Sequence, residues 1–270
     1  MVDFSLVMCI YEKESPAFLA KCIESVLAQT ALPSEWIIVK DGPLPDELDS
    51  MIASVGFSGT MKIIALPENA TLGPARAEGL LASSNEWVAI MDSDDICRCD
   101  RFEKQLRMID MHPELGLIGG QIAEFSENPG DYRSIRAVPL EHDDICKFLK
   151  KRNPFNSMTV MLKREPALAA GNYRYFPWFE DYDLWARMIK SGVICANLPD
   201  VLVDARTGSG MYGRRRGAAY MRSEWNLLKG LRSLGLINRA EFCRNAALRM
   251  PLRLLPAGAL EWIYGKYIRS

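Results

Sequence analysis

Strand-length apolar runs and helical patterns alternate four times in roughly the first ninety residues, and few folds accept that rhythm. The runs are Phe4 to Ile10, Trp36 to Val39, Lys62 to Leu66 and Trp87 to Met91. Between the first and second, Ser15-Pro16 opens a helix whose Phe18, Leu19, Cys22, Ile23, Val26 and Leu27 recur at helical spacing. Pro45 opens the next, with Leu48, Met51, Ile52 and Val55 on one side, and Pro74 opens a third that runs through Leu80 and Leu81. The strands are apolar throughout rather than alternating, so both of their faces must be covered. That predicts an α/β fold with a mostly parallel central sheet flanked by helices. Glu12, Asp41, Asn69 and Asp92 each follow a strand and so share one sheet edge. No Gly-x-Gly-x-x-Gly follows the first strand and no Walker lysine loop occurs, which disfavours dinucleotide oxidoreductases and P-loop nucleotidases.

The fourth strand delivers Asp92-Ser93-Asp94-Asp95, three carboxylates within four residues. So close together they repel, and each tends to hold its neighbour's proton. A divalent cation relieves the conflict, and Mg²⁺ or Mn²⁺ takes one or two carboxylates together with substrate phosphate oxygens. Open α/β sheets bind ligands just beyond the carboxyl ends of their strands, which is where this turn falls. The alternative is a solvated acidic turn that caps the helix beginning near Asp100.

The second half changes character. Leu115 to Phe125, Asp131 to Val138, Met158 to Leu162, Val193 to Leu198 and Val201 to Ala205 have strand patterns, with a turn at Asn128-Pro129-Gly130. Tyr173, Tyr175, Phe176, Trp178 and Phe179 precede Glu180-Asp181, which opens a helix. Such aromatics before an acidic pair suit a sugar-binding cleft, or else form a small core with an ordinary acidic cap. Thr207 to Gly213 has the glycine content of a mobile loop, and Arg214-Arg215-Arg216 follows it. The loop could close over a diphosphate, or the arginines could simply start the next helix. From about Gly217 the pattern is helical, and Leu248 to Ile268 mixes leucine and Trp262 with basic residues. That mixture fits either a helix in a membrane interface or a tail packed on the sheet domain.

Bulk properties exclude other classes. A net charge of −1 provides no general field for nucleic acid. Seven scattered cysteines argue for a reducing compartment rather than a disulfide framework, and with two histidines a structural zinc site is not expected. The N-terminus has no basic stretch before its first strand, so no signal peptide is expected, and no run approaches the ~20 apolar residues of a spanning helix. A cytoplasmic location, peripheral on the inner face of the cell membrane if the tail binds lipid, follows.

Five segments in order carry a resemblance: Glu24 to Thr30, Lys40-Asp41-Gly42, Leu72 to Arg76 with Gly79, Asp92 to Asp95, and Glu180-Asp181. Over residues 4–205 the chain resembles family 2 glycosyltransferases, the GT-A fold enzymes of bacterial surface polysaccharide synthesis. It departs from the usual pattern at Cys9-Ile10-Tyr11-Glu12, at Ala77 and at Ser157. The resemblance implies a catalytic domain over 1–213, with a nucleotide-binding half (1–98) and an acceptor-binding half (99–213), and a helical extension over 214–270. It implies inverting transfer from a nucleotide-diphosphate sugar, UDP-hexose foremost, to a lipid-linked saccharide in O-antigen, capsule or exopolysaccharide assembly. Tyr11, Glu12 and Asp41 would contact base and ribose, and Arg76 would lie near the nucleotide. Asp92 would face the ribose or the metal, Asp94 would ligate Mn²⁺ or Mg²⁺, Trp178 and Glu180 would contact substrate, and Asp181 would be the general base. The rival readings are a Mg²⁺-dependent nucleotidyl or sugar-nucleotide transferase and an inactive nucleotide-sugar-binding module. Intact Asp92, Asp94 and Asp181 count against the second.

Overall fold

The computed structural model describes residues 2–126, 128–207 and 216–254. The glycine loop from 208 with Arg214 and Arg215, and the tail from 255 onward, lie outside the described residues. The first half alternates as the pattern predicts: β1 (Phe4–Tyr11), α1 (Pro16–Leu27), β2 (Glu35–Asp41), α2 (Asp46–Ala53), β3 (Thr60–Ala65), α3 (Leu72–Ala82) and β4 (Trp87–Asp92). Then come β5 (Ile96–Cys97), α4 (Arg101–Met111), β6 (Leu115–Phe125), β7 (Tyr132–Arg136) and α5 (His142–Leu149). A 3₁₀ turn at Ser157–Thr159 leads into β8 (Met161–Lys163), α6 (Arg164–Ala169), α7 (Glu180–Lys190) and β9 (Ile194–Arg206). Two helices, α8 (Ala218–Ser233) and α9 (Arg239–Arg249), and a 3₁₀ turn at Pro251–Leu254 end the described chain.

All nine strands join one sheet in the order β3-β2-β1-β4-β8-β6-β9-β5, with β7 alongside β6. β1 to β4 are parallel to one another; β8 is antiparallel to both β4 and β6, so β6 and its parallel neighbour β9 run with the first four. The apolar strands bury both faces because successive side chains point to opposite sides. Phe4, Leu6, Met8 and Ile10 of β1 join Trp36 and Ile38 of β2 and Trp87 and Met91 of β4 beneath α1, α2 and α4. Val7, Ile37, Val39, Val88 and Ile90 face the other way, under α3, α5, α7 and α8. Gly79 lets α3 lie close, since a Cβ there would sit 2.5 Å from Val7 Cγ1.

Several elements differ from the sequence expectation for identifiable reasons. α3 starts at Leu72, ahead of Pro74, because a proline in the first helical turn forfeits no intrahelical hydrogen bond. The two strand patterns around Pro199 form one strand, β9, whose register against β6 shifts between Gly119 and Gln121. Such a shift accommodates a proline within a strand. The expected strand over Met158 to Leu162 begins with the 3₁₀ turn, leaving only Met161–Lys163 extended. Helix α5 is unanticipated because its buried stripe is only Ile145 and Leu149.

The C-terminal helices pack on the sheet domain as far as they are described, through Leu227, Leu228, Leu231 and Phe242. Glu224 of α8, wholly buried, meets Arg249 Nη2 at 2.5 Å and Arg253 Nε at 2.6 Å. Burial pushes against its charge, yet the two arginines hold its proton affinity below the usual carboxylate value. Asn238 and Glu241 form a reciprocal capping box at the start of α9. Among the described residues, no helix is long and apolar enough to cross a membrane.

Candidate active site

The strand order reverses direction between β1 and β4, so the loops leaving their carboxyl ends part and open a crevice. In the parallel ladders Tyr11 lies beside Asp41, and Cys9 beside Asp92. Three of the expected donor residues therefore reach one edge through strand register alone. Asp41 is buried and accepts from the backbone N–H of Ala70 at 2.7 Å, which pins the loop before α3. Burial raises its proton affinity against the opposing pull of the Ala70 and Thr71 amides. Tyr11 is partly exposed, at 38%. Glu12 points to solvent and among the described residues pairs with Lys13 at 3.8 Å, a contact worth little in water.

Glu14, two residues on, is the acid of this loop that reaches the aspartate turn, by accepting a hydrogen bond from Ser93 Oγ. On the other side Asp95 is buried and accepts from the backbone N–H of Arg206 at 2.7 Å, at the end of β9. Arg206 Nε donates to the Asp94 carbonyl at 3.3 Å, and its guanidinium lies over Phe18 at 3.7 Å. Behind the turn, the fully buried Arg101 donates to the Ile90 carbonyl at 2.8 Å and Gln105 Oε1 at 3.1 Å. Glu14 and Arg206 thus hold the turn through contacts long-range in sequence, and Arg101 braces the strand that delivers it.

Crowding shows in the proton affinities. Burial, then the charges of Asp92 and Glu14, push the Asp94 carboxyl up to about 7. Asp95 is raised too, by burial and by Asp94 and Asp92. Among the described residues no three acidic, histidine or cysteine side chains already form a metal cage. Two carboxylates plus phosphate oxygens are nevertheless what Mg²⁺ or Mn²⁺ accepts, and the crowding of negative charge at Asp94 suits a divalent cation. Asp94 and Asp92 are the residues that could hold one.

Arg76 lies beneath the crevice, 2% exposed. Its Nη2 donates to Asp92 Oδ1 at 2.5 Å, its Nη1 is 3.9 Å from Glu180 Oε1, and its guanidinium is 5.9 Å from the Tyr173 ring centre. Burial disfavours its charge, but Asp92, Tyr173 and Glu180 more than restore it. Arg76 consequently ties the acidic turn after β4 to the acidic pair that starts α7. In that pair, burial and Asp181 push Glu180 up to about 7, against Arg76. Asp181 accepts from Asn153 Nδ2 at 2.9 Å and from the Tyr182 amide at 2.6 Å, and burial raises it above the usual carboxylate value.

Beside the pair lies a cleft of about 350 Å³ lined by Thr71, Leu72, Gly73, Phe176, Pro177, Trp178 and Glu180. Thr71 (φ 73°) and Trp178 (φ 66°) both have left-handed backbone, uncommon for such side chains and concentrated at this cleft. A Cβ on Gly73 would meet the Arg174 carbonyl at 2.4 Å, so only glycine lets α3 approach this closely. Trp178 is 45% exposed and lies 5.3 Å from Tyr220 of α8. Aromatic cluster and mini-core are both realised: Tyr173 and Phe179 are buried, while Trp178 and Tyr175 stay exposed.

The mostly parallel sheet, with its switch-point crevice and the aspartate turn and acidic pair joined through Arg76, has the architecture of the GT-A glycosyltransferases. The chain belongs to glycosyl transferase family 2, whose model matches residues 5–171. It is 42% identical over 269 residues to an uncharacterized glycosyltransferase of Haemophilus influenzae, covering 100% of both chains. It is 36% identical to the amylovoran biosynthesis glycosyltransferase AmsE of Erwinia amylovora, over 97% of this chain and 98% of that one. Against the Escherichia coli UDP-Gal:alpha-D-GlcNAc-diphosphoundecaprenol beta-1,3-galactosyltransferase the identity is 35%, over 98% and 96%. Among solved structures, Staphylococcus aureus TarS 1-349 in complex with UDP-GlcNAc superposes with a TM-score of 0.65 at 15% identity, over 93% of this chain and 72% of that one. The Pyrobaculum calidifontis mannosyltransferase PcManGT, in complex with GDP-Man and Mn2+, gives 0.65 at 14% identity, over 99% and 78%. The chain is therefore a glycosyltransferase with a GT-A fold, of a kind that serves bacterial polysaccharide synthesis.

Proposed function

We propose that the chain transfers a hexose from UDP to a lipid-linked saccharide, with inversion at the anomeric carbon, during surface polysaccharide assembly. The observation that carries this reading is the Arg76 bridge, which sets an acidic turn and an acidic pair on either side of one cleft. The named donors and acceptor of the relatives support the choice of a UDP-sugar and a diphosphate lipid.

Asp181 takes the proton of the acceptor hydroxyl as that oxygen attacks the anomeric carbon. The bond from that carbon to the diphosphate breaks on the opposite face, and the electron pair leaves with the nucleotide. Burial suits Asp181 to the task by raising its affinity for the proton, while Asn153 and the Tyr182 amide keep its carboxylate oriented. Trp178 offers an exposed indole to a sugar ring, and Asp41 orders the loop against which the base and ribose rest. Asp94 and Asp92 would hold Mn²⁺ or Mg²⁺, which when bound supplies Lewis-acid neutralisation of the diphosphate charge.

A thermal-shift series with nucleotide sugars, with and without Mn²⁺, tests the reading. A ligand that binds only the folded state at a hundred times its Kd stabilises it by about 2.7 kcal/mol. One donor class should raise the midpoint only with the metal present. No shift with any nucleotide sugar and Mn²⁺ would overturn the assignment.

A further inference from the structure

Helix α8 turns Tyr220, Leu227, Leu228 and Leu231 inward. Its outer face forms an open groove of about 820 Å³ lined by Ala218, Ala219, Met221, Arg222, Trp225 and Met250. Arg222 is the one charged group of that lining, and Trp225 leaves 37% of its surface exposed. An indole at the surface beside small and thioether side chains suits the boundary between water and lipid, where one edge is wet and the other apolar.

Charge around the groove is segregated. Residues 216–254 contain eight lysines and arginines against two glutamates, in a chain of net charge −1. Glu224 is buried against Arg249 and Arg253, and Glu241 caps α9 and lies 3.7 Å from Lys150, so the two glutamates leave this segment with an excess of cations. Arg222, Lys229, Arg232, Arg239 and Arg244 are all exposed. Lys229 lies 5.9 Å from the Trp225 ring centre, which puts a cation at the rim of the apolar surface.

We propose that this face of α8 docks on an anionic lipid leaflet, with Met221 and Trp225 entering the headgroup–acyl boundary and the rim cations on lipid phosphates. The proposal deepens the lipid-linked acceptor reading and rests on it for its purpose. The same helix touches the cleft, because Tyr220 lies 5.3 Å from Trp178 and Ser223 Oγ donates to the Pro177 carbonyl at 2.7 Å. Docking α8 therefore brings the acceptor cleft to headgroup level, where the saccharide of a lipid-linked acceptor resides.

The test is co-sedimentation of the full chain with vesicles of phosphatidylethanolamine and phosphatidylglycerol, and with vesicles of phosphatidylcholine alone, without donor or acceptor. Wild type should partition onto the anionic vesicles and be released by high salt. Each cation near such a surface is worth about five-fold in partitioning, so R222E/K229E should lower binding more than ten-fold. M221E/W225E should lower it comparably while still melting cooperatively and keeping activity on a water-soluble acceptor. Wild type that ignores anionic vesicles overturns the proposal, as expected if residues 255–270 of the same chain cover the groove. So does binding that M221E/W225E leaves intact, or a dimer that M221E/W225E dissociates without any vesicle binding. Because the vesicles contain neither substrate, failure here leaves glycosyl transfer unaffected, and absent donor stabilisation leaves the vesicle result standing.

Discussion

Asp94→Asn should stabilise the metal-free protein, by an amount that grows with pH. In the folded chain burial and the neighbouring Asp92 and Glu14 lift the Asp94 carboxyl from 3.8 to about 7. Between those values the native state holds a proton that the unfolded chain has lost, so wild-type stability falls as pH rises through the window. At about 1.4 kcal/mol per tenfold change in proton affinity, the full interval corresponds to about 4 kcal/mol above pH 7. At pH 5 only about 1.5 kcal/mol of it has been lost. Asparagine does not titrate, so the cost of burying its amide is the same at both pH values and cancels in the difference. The advantage of the variant should therefore be about 2.5 kcal/mol larger at pH 8 than at pH 5, measured by urea unfolding in EDTA. Adding Mn²⁺ with UDP should reverse the order at pH 8, because only wild type gains from binding. An equal advantage at both pH values would show that Asp94 is not crowded in the folded state, and the metal argument would lose its footing.

Two further substitutions probe the other side of the cleft. Asp181→Asn keeps the shape and removes the proton acceptor, so kcat should fall by about 10²–10⁴ with donor affinity by calorimetry nearly unchanged; full turnover would move the base elsewhere. Gly73→Ala drives a Cβ to within 2.4 Å of the Arg174 carbonyl and 3.1 Å of Glu180 Cβ. It should cost about 1–3 kcal/mol in denaturant unfolding and depress kcat, and a variant indistinguishable from wild type would show that α3 can retreat without penalty.

The meeting of the strand-end residues at one sheet edge was legible in the sequence because parallel strands of matching length bring their carboxyl ends together without any knowledge of packing. Tyr11, Asp41 and Asp92 meet for that reason. What sequence order could not supply were partners chosen by the fold. Glu14 rather than Glu12 meets the acidic turn, because Glu12 points to solvent while Glu14 reaches Ser93. Arg101 carries no local mark of its buried position, and a helical arginine followed by Phe102 reads as an ordinary amphipathic start. Arg76 had its place near the nucleotide suggested by resemblance alone, and its contact with Glu180 spans a separation no local pattern encodes. Short α5 escaped because only Ile145 and Leu149 mark its buried stripe, and β5 because two residues show no alternation.

The Arg76 bridge bears on how such enzymes can be recombined. Asp92 and Glu180 lie far apart in the sequence, yet one guanidinium is shared between them, and β4 hydrogen-bonds directly to β8. A chimera that joins the first four strands of one relative to the remainder of another inherits a carboxylate that must find its cation across the graft. Exchanging sugar or acceptor preference by swapping segments therefore requires Arg76, Asp92 and Glu180 to travel as a set.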